Sequence, residues 1–466
     1  MIGVALAATG GMSIGAHAVV LGSSMAGLAA AKALSAHFAR VTVIERDALP
    51  EKASLESRKG VPQGNHGHGL LASGYAVLDS WFPRMMAELV DEGAVPGDAT
   101  ADFHWYQFGA WKLRAPSGLR GIVSSRPLLE AKVRSRVRAL PNVDILDEHD
   151  VIEPVFADGR VTGVRVRARA TGAEVVLDAD LIVDAMGRGS LTPAWLAEWG
   201  YDAPEESVVA CNITYTTAIF SRGPRDFPGA MGGIIGATPP VEKRSGALFA
   251  IEGNRWLVTL LGALGEQPPT DIEGFREYAR TLPTRDVFDI VANREPLTKI
   301  RSYRFAASRW RHYGKLSRFP EGYLVFGDAI CSFNPAYGQG MSVALLEAQA
   351  LDRCLAHGRR RLAARFFTDA DALIATPWTI AVGEDMRYPE VEGKRPSGHA
   401  LLTRYMDRVH RAATRDPVVL ARLFEVASLL RSPAALLSPS IVFRVLVGGI
   451  GTVTEAPHHL LPSAIP

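Results

Sequence analysis

A short glycine motif near the start of the chain has the residue types and spacing of an anion-binding turn. It reads Gly22-Ser23-Ser24-Met25-Ala26-Gly27 and lies between the apolar run 18–21 and the helix-like run 28–34. A strand, a glycine turn and a helix N-terminus together form a pyrophosphate site, because backbone N–H groups and the helix dipole both favour the anion. Ser24 stands where the dinucleotide fingerprint has its middle glycine, so a turn that binds nothing remains the alternative. The expected ligand contacts are Gly22, Ser24, Met25, Ala26 and Gly27.

An acidic residue follows the second apolar run at a distance that suits a nucleotide ribose. Glu45 ends the run 41–44 and stands 23 positions after Gly22. A carboxylate placed about 20 residues after such a motif accepts hydrogen bonds from ribose hydroxyls. We therefore expect Glu45 and its neighbour Arg46 to lie at the nucleotide.

A second glycine motif, about 300 residues later, could hold another part of the same dinucleotide. It runs from Gly327 to Met341, after the apolar strand 323–326 and before the helix-like run 342–355. Asp328 would bind a ribityl hydroxyl, and a helix that begins near Gly340 would face a pyrophosphate or the electron-rich edge of an isoalloxazine ring. The candidate contacts in this motif are Gly327, Asp328, Pro335, Gly338, Gly340 and Met341.

The two motifs together resemble those of FAD-dependent monooxygenases of the aromatic-hydroxylase type, whose flavin site is built from two separated motifs. The stretches 58–68, 184–190, 333–341 and 383–389 are similar to the actinobacterial polyether-pathway polyene epoxidases, and the likeness runs from about residue 17 to about residue 447. The resemblance implies non-covalent FAD. It also implies that one oxygen atom of dioxygen enters an apolar substrate through a flavin hydroperoxide. The reaction would be epoxidation or hydroxylation of a polyketide or terpenoid in secondary metabolism.

The same resemblance suggests further cofactor contacts. Arg126 lies in a Ser-Arg-x-x-Leu pattern close to the FAD of the family, and its guanidinium could pair with the pyrophosphate. Arg58 and Lys59 could reach the cofactor or NAD(P)H, and Gly187 lies in the stretch 184–190.

One position departs from the family pattern. Aromatic hydroxylases carry an Asp-Gly pair where this chain has Met186-Gly187. Asp184 lies on the same face of its strand but about 7 Å away, so we do not expect it to replace the missing carboxylate. Two electron sources therefore stay open, a direct reaction with NAD(P)H and a separate flavin reductase.

Other activities share this architecture. A flavin-dependent reductase or dehydrogenase of isoprenoid-like double bonds would transfer hydride without incorporating oxygen, and a flavin-binding protein without activity is a further alternative. A halogenase is disfavoured because Trp-x-Trp-x-Ile-Pro does not occur: Trp195 and Trp199 are four positions apart, and Trp256 stands alone. No acid–base dyad is visible, so no catalytic residue is assigned.

The histidine pair His66 and His68 does not predict a metal site. Two histidines in a glycine-rich loop need two or more further ligands, and the sequence offers no Cys or His cluster to supply them. A hydrogen bond near the flavin, or a purely structural role in the loop, is expected instead.

Composition limits the partners. The 466 residues include 51 basic and 49 acidic ones, so the net charge of +2 gives no electrostatic case for nucleic acid. Three cysteines without metal spacing (Cys211, Cys331 and Cys354) favour the reducing cytoplasm. Residues 1–9 lack the positive region of a signal peptide, and no apolar run is long enough for a transmembrane helix. The apolar segment 418–447 could touch a membrane, but packing on the protein body is the expectation.

The pattern of elements predicts an α/β fold with three parts. A discontinuous, Rossmann-like FAD-binding domain comprises residues 16–100, 121–190 and 311–356, and a C-terminal helical segment comprises residues 357–466. Residues 101–120 and 200–305 form an antiparallel substrate-domain sheet over the flavin. Aromatic residues in this sheet should line an apolar cleft, although core packing explains at least half of them: Phe103, Trp105, Tyr106, Phe108, Trp111, Tyr215, Phe249 and Trp256.

Overall fold

The computed structural model describes residues 13–395 and 398–448. Residues 1–9, where no signal peptide is expected, and residues 449–466 of the expected C-terminal segment lie outside the described residues. The strands are β1 (Gly15–Leu21), β2 (Phe38–Ile44), β3 (Val95–Asp98), β4 (Phe103–Gln107), β5 (Ala110–Trp111), β6 (Arg120–Val123), β7 (Val143–Leu146), β8 (His149–Ala157), β9 (Arg160–Ala168), β10 (Glu174–Asp178), β11 (Leu181–Asp184), β12 (Glu206–Val209), β13 (Ile213–Ser221), β14 (Gly232–Ile235), β15 (Arg244–Ile251), β16 (Arg255–Gly262), β17 (Arg301–Phe305), β18 (Ser308–Arg311), β19 (Tyr323–Val325) and β20 (Cys331–Ser332). The helices are α1 (Met25–Ser35), α2 (Ala72–Trp81), α3 (Met85–Asp91), α4 (Arg126–Arg138), α5 (Thr192–Glu198), α6 (Ile272–Arg280), α7 (Asp286–Val291), α8 (Gly340–Ala356), α9 (Leu362–Asp385), α10 (His399–Ala412), α11 (Pro417–Ala427) and α12 (Pro439–Gly448).

A five-stranded parallel sheet in the order β19-β11-β1-β2-β7 forms the first layer. Its strands are apolar runs because the sheet is buried between α1 and strands β8 and β9, and Val164 and Val166 of β9 belong to the same core. Leu21 at the end of β1 pairs in register with Ile44 on one side and with Asp184 on the other, and Asp184 pairs with Val325 of β19. The loops after these four strands therefore leave the sheet at one common edge. This arrangement confirms the predicted α/β, Rossmann-like fold.

A seven-stranded sheet in the order β17-β13-β16-β15-β14-β4-β5 forms the second large sheet. All of its pairs are antiparallel except β14 and β4, which run parallel. The sequence predicted an antiparallel sheet here, and the parallel pair of β14 with β4 departs from that prediction. The sequence carries no sign of it, because β-forming runs show where strands lie and not which strands they pair with. One face packs on α6 and α7, where Phe275 and Val287 contact a core that includes the fully buried Trp256.

Three smaller sheets complete the strands, in the orders β10-β9-β8, β12-β18-β20 and β3-β6. Strands β9 and β10 pair antiparallel as a hairpin around the turn at Thr171-Gly172.

The C-terminal part is helical, as predicted. Helices α10, α11 and α12 share a core that includes Val409, Leu420 and Val445. The segment 418–447 thus packs one face on its neighbours, while Phe443 and Val447 remain 66% and 56% exposed. Within residues 13–395 and 398–448, no helix is both long enough and apolar enough to span a bilayer.

Candidate active site

The turn after β1 is tight enough to require glycine at both of its ends. Gly22 has a φ of +100°, and a Cβ there would lie 2.8 Å from the Ala185 carbonyl oxygen. A Cβ at Gly27 would lie 1.8 Å from the Gly22 carbonyl oxygen, which no side chain tolerates. The turn therefore brings the chain directly from the sheet edge into α1.

The N-terminus of α1 is free to bind an anion. Its N-cap residue, Ser24, makes no side-chain hydrogen bond to the helix, and the first turn contains no acidic residue. The first N–H groups of a helix have no intrahelical acceptors, so an uncapped helix start offers several donors and the positive end of the dipole. The Met25 side chain is 2% exposed and belongs to the core, which leaves only its backbone for a ligand.

The second motif meets the first at this edge. Gly327, with a φ of +64°, packs directly against Ala26 in the first turn of α1. The N–H of Gly327 donates to the carboxylate of Glu347 at 2.8 Å. Because Glu347 lies on α8, this hydrogen bond fixes the turn to that helix. Burial raises the pKa of Glu347 to about 8. Sequence reasoning missed Glu347, because a glutamate inside an apparently ordinary helix carries no signal.

Asp328 presents an unused carboxylate between the two motifs. It is exposed to the cleft, and it makes no hydrogen bond with the residues that the structure describes. Desolvation by the surrounding protein raises the pKa of the Asp328 carboxyl group, whereas the positive charges of Arg188 and Arg126 lower this pKa. A Cβ at Gly340 would lie 3.8 Å from Asp328 Oδ1, and a Cβ at Gly187 would lie 3.8 Å from Asp328 Cβ. The Asp328 carboxylate is thus available to accept a hydrogen bond.

Helix α8 supplies a second uncapped N-terminus. Gln339, its N-cap residue, makes no capping hydrogen bond, and its Oε1 atom is buried without a partner among the described residues. Gly338 adopts the left-handed conformation with a φ of +65°, and Pro335 is half-buried. The Met341 side chain is 6% exposed. Two uncapped helices and a free carboxylate at one edge fit a ligand with a pyrophosphate and hydroxyl groups.

Glu45 is held by the protein itself. Its Oε2 atom accepts from the Ser23 N–H at 3.1 Å and from Ser23 Oγ at 2.8 Å, and it lies 2.9 Å from Arg58 Nη1. Arg58 also contacts Asp47 and Glu130. The expected ribose acceptor therefore also fixes the glycine turn. Its neighbour Arg46 and the predicted contact Lys59 are both exposed.

Arg126 and Arg58 belong to one buried ionic cluster. Ser125 caps α4 by accepting from the Leu128 N–H at 3.2 Å, which places Arg126 in the first turn. Arg126 is 7% exposed, and its Nη2 atom lies 2.9 Å from Glu130 Oε2. The two arginines that sequence reasoning assigned separately thus share the Glu130 carboxylate.

The turn after β11 holds Asp184 away from the place of the missing Asp-Gly carboxylate. Asp184 is fully buried and accepts from the Met186 N–H at 2.9 Å and from Thr192 Oγ1 at 2.5 Å, so it stabilises the turn and does not face the cleft. Gly187 follows with a φ of +70°. Next to it, a cavity of about 170 Å³ borders Asp328 and is lined by side chains that include Arg188, Arg309 and Arg311. Sequence reasoning did not single out these arginines.

The histidine loop contacts the seven-stranded sheet. His66 Nδ1 lies 2.8 Å from Thr217 Oγ1, and burial lowers the pKa of His66 to about 4. His68 Nδ1 lies 3.0 Å from the His66 carbonyl oxygen, and burial lowers its pKa to about 3. Both rings are therefore neutral at pH 7. Across the described ranges, no group of three or more His, Cys, Asp or Glu side chains could hold a metal ion.

Three solved structures show the same fold at low sequence identity. The flavin-dependent brominase Bmp2 is 14% identical, with a TM-score of 0.64 over 92% of this chain and 98% of its own. The p-nitrophenol 4-monooxygenase PnpA from Pseudomonas putida is 16% identical, with a TM-score of 0.63 over 90% and 98%. PqsL from Pseudomonas aeruginosa, a probable FAD-dependent monooxygenase, is 16% identical, with a TM-score of 0.57 over 80% and 98%.

No protein-family model matches the chain. Protein Rv3254 of Mycobacterium tuberculosis is 38% identical over 349 residues, which cover 73% of each chain. The chain has the fold of flavin-dependent monooxygenases and halogenases, and it belongs to the family of Protein Rv3254.

Proposed function

We propose that the protein is an FAD-dependent monooxygenase that inserts one oxygen atom of dioxygen into an apolar small molecule. The observation that carries this proposal is the meeting of two uncapped helix N-termini around the unpartnered Asp328 carboxylate. This arrangement offers donors to a pyrophosphate and an acceptor to a hydroxyl group. The shared fold of monooxygenases and halogenases supports the choice of FAD.

Each part of the cleft has a binding role in this proposal. The backbone of Gly22–Gly27 and the start of α1 bind the pyrophosphate, with Arg126 as a further cation. Asp328 accepts from a ribityl hydroxyl, and Glu45 with Arg58 supports the adenosine end. Loop 335–341 and the start of α8 face the pyrophosphate or the ring. No covalent attachment residue is needed, and bound FAD, once reduced, supplies the activation of dioxygen.

The protein's own task is to orient the substrate and to exclude water. The aromatic residues of the sheet divide into two groups. Trp256, Tyr106 and Trp111 pack in the core with α6 and α7, and Trp105 packs against the C-terminal helices. Phe103 and Phe249 lie 6.2 Å apart, and Phe249 packs so close to Gly67 that a Cβ there would lie 2.2 Å from its ring. We assign these two phenylalanines to the substrate side, next to the histidine loop.

The finer substrate assignment comes from the resemblance to actinobacterial polyether-pathway epoxidases. The substrate is an alkene or polyene of polyketide or terpenoid origin, and the product is an epoxide or alcohol of secondary metabolism. Reducing equivalents come from NAD(P)H or from a separate flavin reductase. The three free cysteines are buried, and the reducing cytoplasm is the compartment proposed.

Labelled dioxygen tests this function. The purified protein should be yellow and should release a flavin with the mass of FAD on heating. The reduced enzyme is then offered a polyene, a phenol and a carboxylated aromatic under ¹⁸O₂, and the products are analysed by mass spectrometry. We expect one ¹⁸O atom in the polyene product. Turnover of phenols alone indicates an aromatic hydroxylase, and a reduced alkene without label indicates the alternative reductase or dehydrogenase. A colourless protein that cannot be reconstituted overturns the proposal.

A further inference from the structure

A buried polar network lies directly behind the second glycine motif. Asn334 is 1% exposed, and its Oδ1 atom accepts from Tyr215 Oη at 2.8 Å and from the Ala336 N–H at 3.0 Å. Its own N–H donates to Ser308 Oγ at 3.0 Å. With Oδ1 occupied by two donors, the amide nitrogen of Asn334 must face the opposite way, toward the end of α9.

Asp385, near the C-terminus of α9, receives this amide. Its Oδ1 atom accepts from Asn334 Nδ2 at 2.8 Å and from Tyr337 Oη at 2.8 Å. The side chain is buried, and its other oxygen, Oδ2, has no hydrogen-bond partner among the described residues. Oδ1 of Asp385 thus connects Asn334 with Tyr337, near the two ends of a short turn. Oδ2 accepts no hydrogen bond from either residue.

The turn held in this way faces the cleft. Loop 334–338 contains the half-buried residues Pro335, Ala336 and Tyr337 and leads directly into the uncapped start of α8. A Cβ at Gly338 would lie 3.8 Å from Gly69, so the loop also touches the segment after the histidine pair. A change in how firmly Asp385 holds this loop therefore reaches the cofactor cleft.

We propose that Asp385 is a positioning residue whose own ionisation sets how tightly loop 334–338 is held at the flavin. This inference rests on the proposed FAD site. Because Oδ1 already accepts two hydrogen bonds, a proton can only reside on Oδ2. Ionisation therefore keeps both hydrogen bonds and makes them charge-assisted, which shortens and strengthens them.

The surroundings leave Asp385 able to titrate near neutral pH. Burial raises its pKa to about 7, opposed by the hydrogen bonds from Tyr337 and Asn334. The other ionisable groups around it are Tyr215, Tyr337, Tyr388, Cys211 and Glu384. Burial raises the pKa of each tyrosine and of Cys211, so these groups are neutral at pH 7. Glu384 lies 2.8 Å from Arg387 and makes no hydrogen bond to the loop.

The test follows the visible absorption of bound flavin between pH 5.5 and 8.5. Wild-type holoprotein should show a transition with a midpoint near 7 from Asp385, because burial raises its pKa to about 7, separate from any change caused by Glu347, whose pKa burial raises to about 8. Asp385→Asn can place its oxygen toward both donors, so it should keep FAD but lose the transition and resemble wild type at low pH. Tyr337→Phe removes one donor to the carboxylate, so its midpoint should move to higher pH. Glu384→Gln removes a neighbouring negative charge that raises the pKa of Asp385, so this variant should keep the transition but move its midpoint to lower pH.

A second measurement does not depend on flavin. The unfolding midpoint of the apoprotein in urea should fall more between pH 5 and 8 for wild type than for Asp385→Asn, since only wild type must bury a charge at the higher pH. If wild type binds no FAD, the proposed function fails. If wild type binds FAD but Asp385→Asn keeps the transition, or wild type shows none, the inference about Asp385 is overturned and the function stands.

Discussion

A methyl group at Gly327 would lie 2.8 Å from the Cβ atom of Ala26, so the two glycine motifs are in contact across the site. Gly327→Ala should therefore push the second motif away from α1 and weaken FAD binding. The positive φ adds about 1–2 kcal/mol of strain for any non-glycine residue.

Gly358→Ala is the matched control for this change. Gly358 has a φ of +79°, and a Cβ placed there would meet no neighbouring atom within 4 Å, so the substitution carries the same strain without the contact. Thermal unfolding and the flavin content after gel filtration separate the two effects. Equal flavin content in both variants would contradict the role of the Gly327–Ala26 contact.

Asp328→Ala should lose FAD while the protein stays folded. The carboxylate has no hydrogen-bond partner to lose among the described residues, and removing a charge-assisted acceptor costs about 1.5–3 kcal/mol of binding, which is roughly a 10- to 150-fold increase in Kd. Titration of apoprotein with FAD measures this loss. Gly22→Val should also lose FAD, because its Cβ would lie 2.8 Å from the Ala185 carbonyl oxygen and would displace the turn. Full occupancy of both variants at low free FAD would refute the motif assignment.

Glu45→Ala should mainly reduce the stability of the protein, in contrast to Asp328→Ala, which should mainly reduce FAD binding. This carboxylate holds Ser23 and Arg58, and removing one partner of a buried ion pair costs about 3–5 kcal/mol of stability. Urea unfolding of the apoprotein should therefore show a large loss that Asp328→Ala does not share. An apoprotein of unchanged stability would show that the Glu45 contacts contribute little.

Arg126→Met should weaken FAD binding by about tenfold if its guanidinium pairs with the pyrophosphate. Glu130 would keep Arg58 as a partner, at 3.0 Å. Arg134→Met is the control, because Arg134 is 4% exposed and also lies near Glu130, at 3.8 Å. We expect the control to lose stability but to bind FAD normally, and equal Kd values for the two variants would remove Arg126 from the site.

Glu347→Gln should change the pH dependence of stability. Burial raises the pKa of Glu347 from 4.5 to about 8, so the folded protein keeps a proton that the unfolded chain releases. This contribution is fully present below about pH 4.5 and is lost as pH rises through about 8. Gln can still accept from the Gly327 N–H, so the variant should lose less stability between pH 5 and 8.5 than wild type. Parallel urea-unfolding curves would contradict this ionisation.

The glycine motifs and the strand ends could be predicted because they are local signals. Apolar runs of strand length, followed by glycine turns, showed where β1 and β19 end, and parallel pairing then brought Gly22 and Asp328 to one edge. Contacts between distant segments had no such signal. Neither the hydrogen bond from Asn334 to Asp385 nor the parallel pairing of β14 with β4 follows from residue types, because each depends on how whole elements pack. The sequence identified Glu45 as a site residue, but it did not predict the contacts of Glu45 with Ser23 and Arg58.

The strand order of the five-stranded sheet also has a consequence for biosynthesis. The edge strand β19 begins at Tyr323, and Asp328 and α8 follow it. When the ribosome has delivered β1, β2, β7 and β11, four adjacent strands of this sheet are present, yet half of the ligand cleft is still untranslated. Flavin retention would therefore distinguish completed chains from truncated ones, because a fragment that ends before residue 323 has the first glycine turn but nothing to close it.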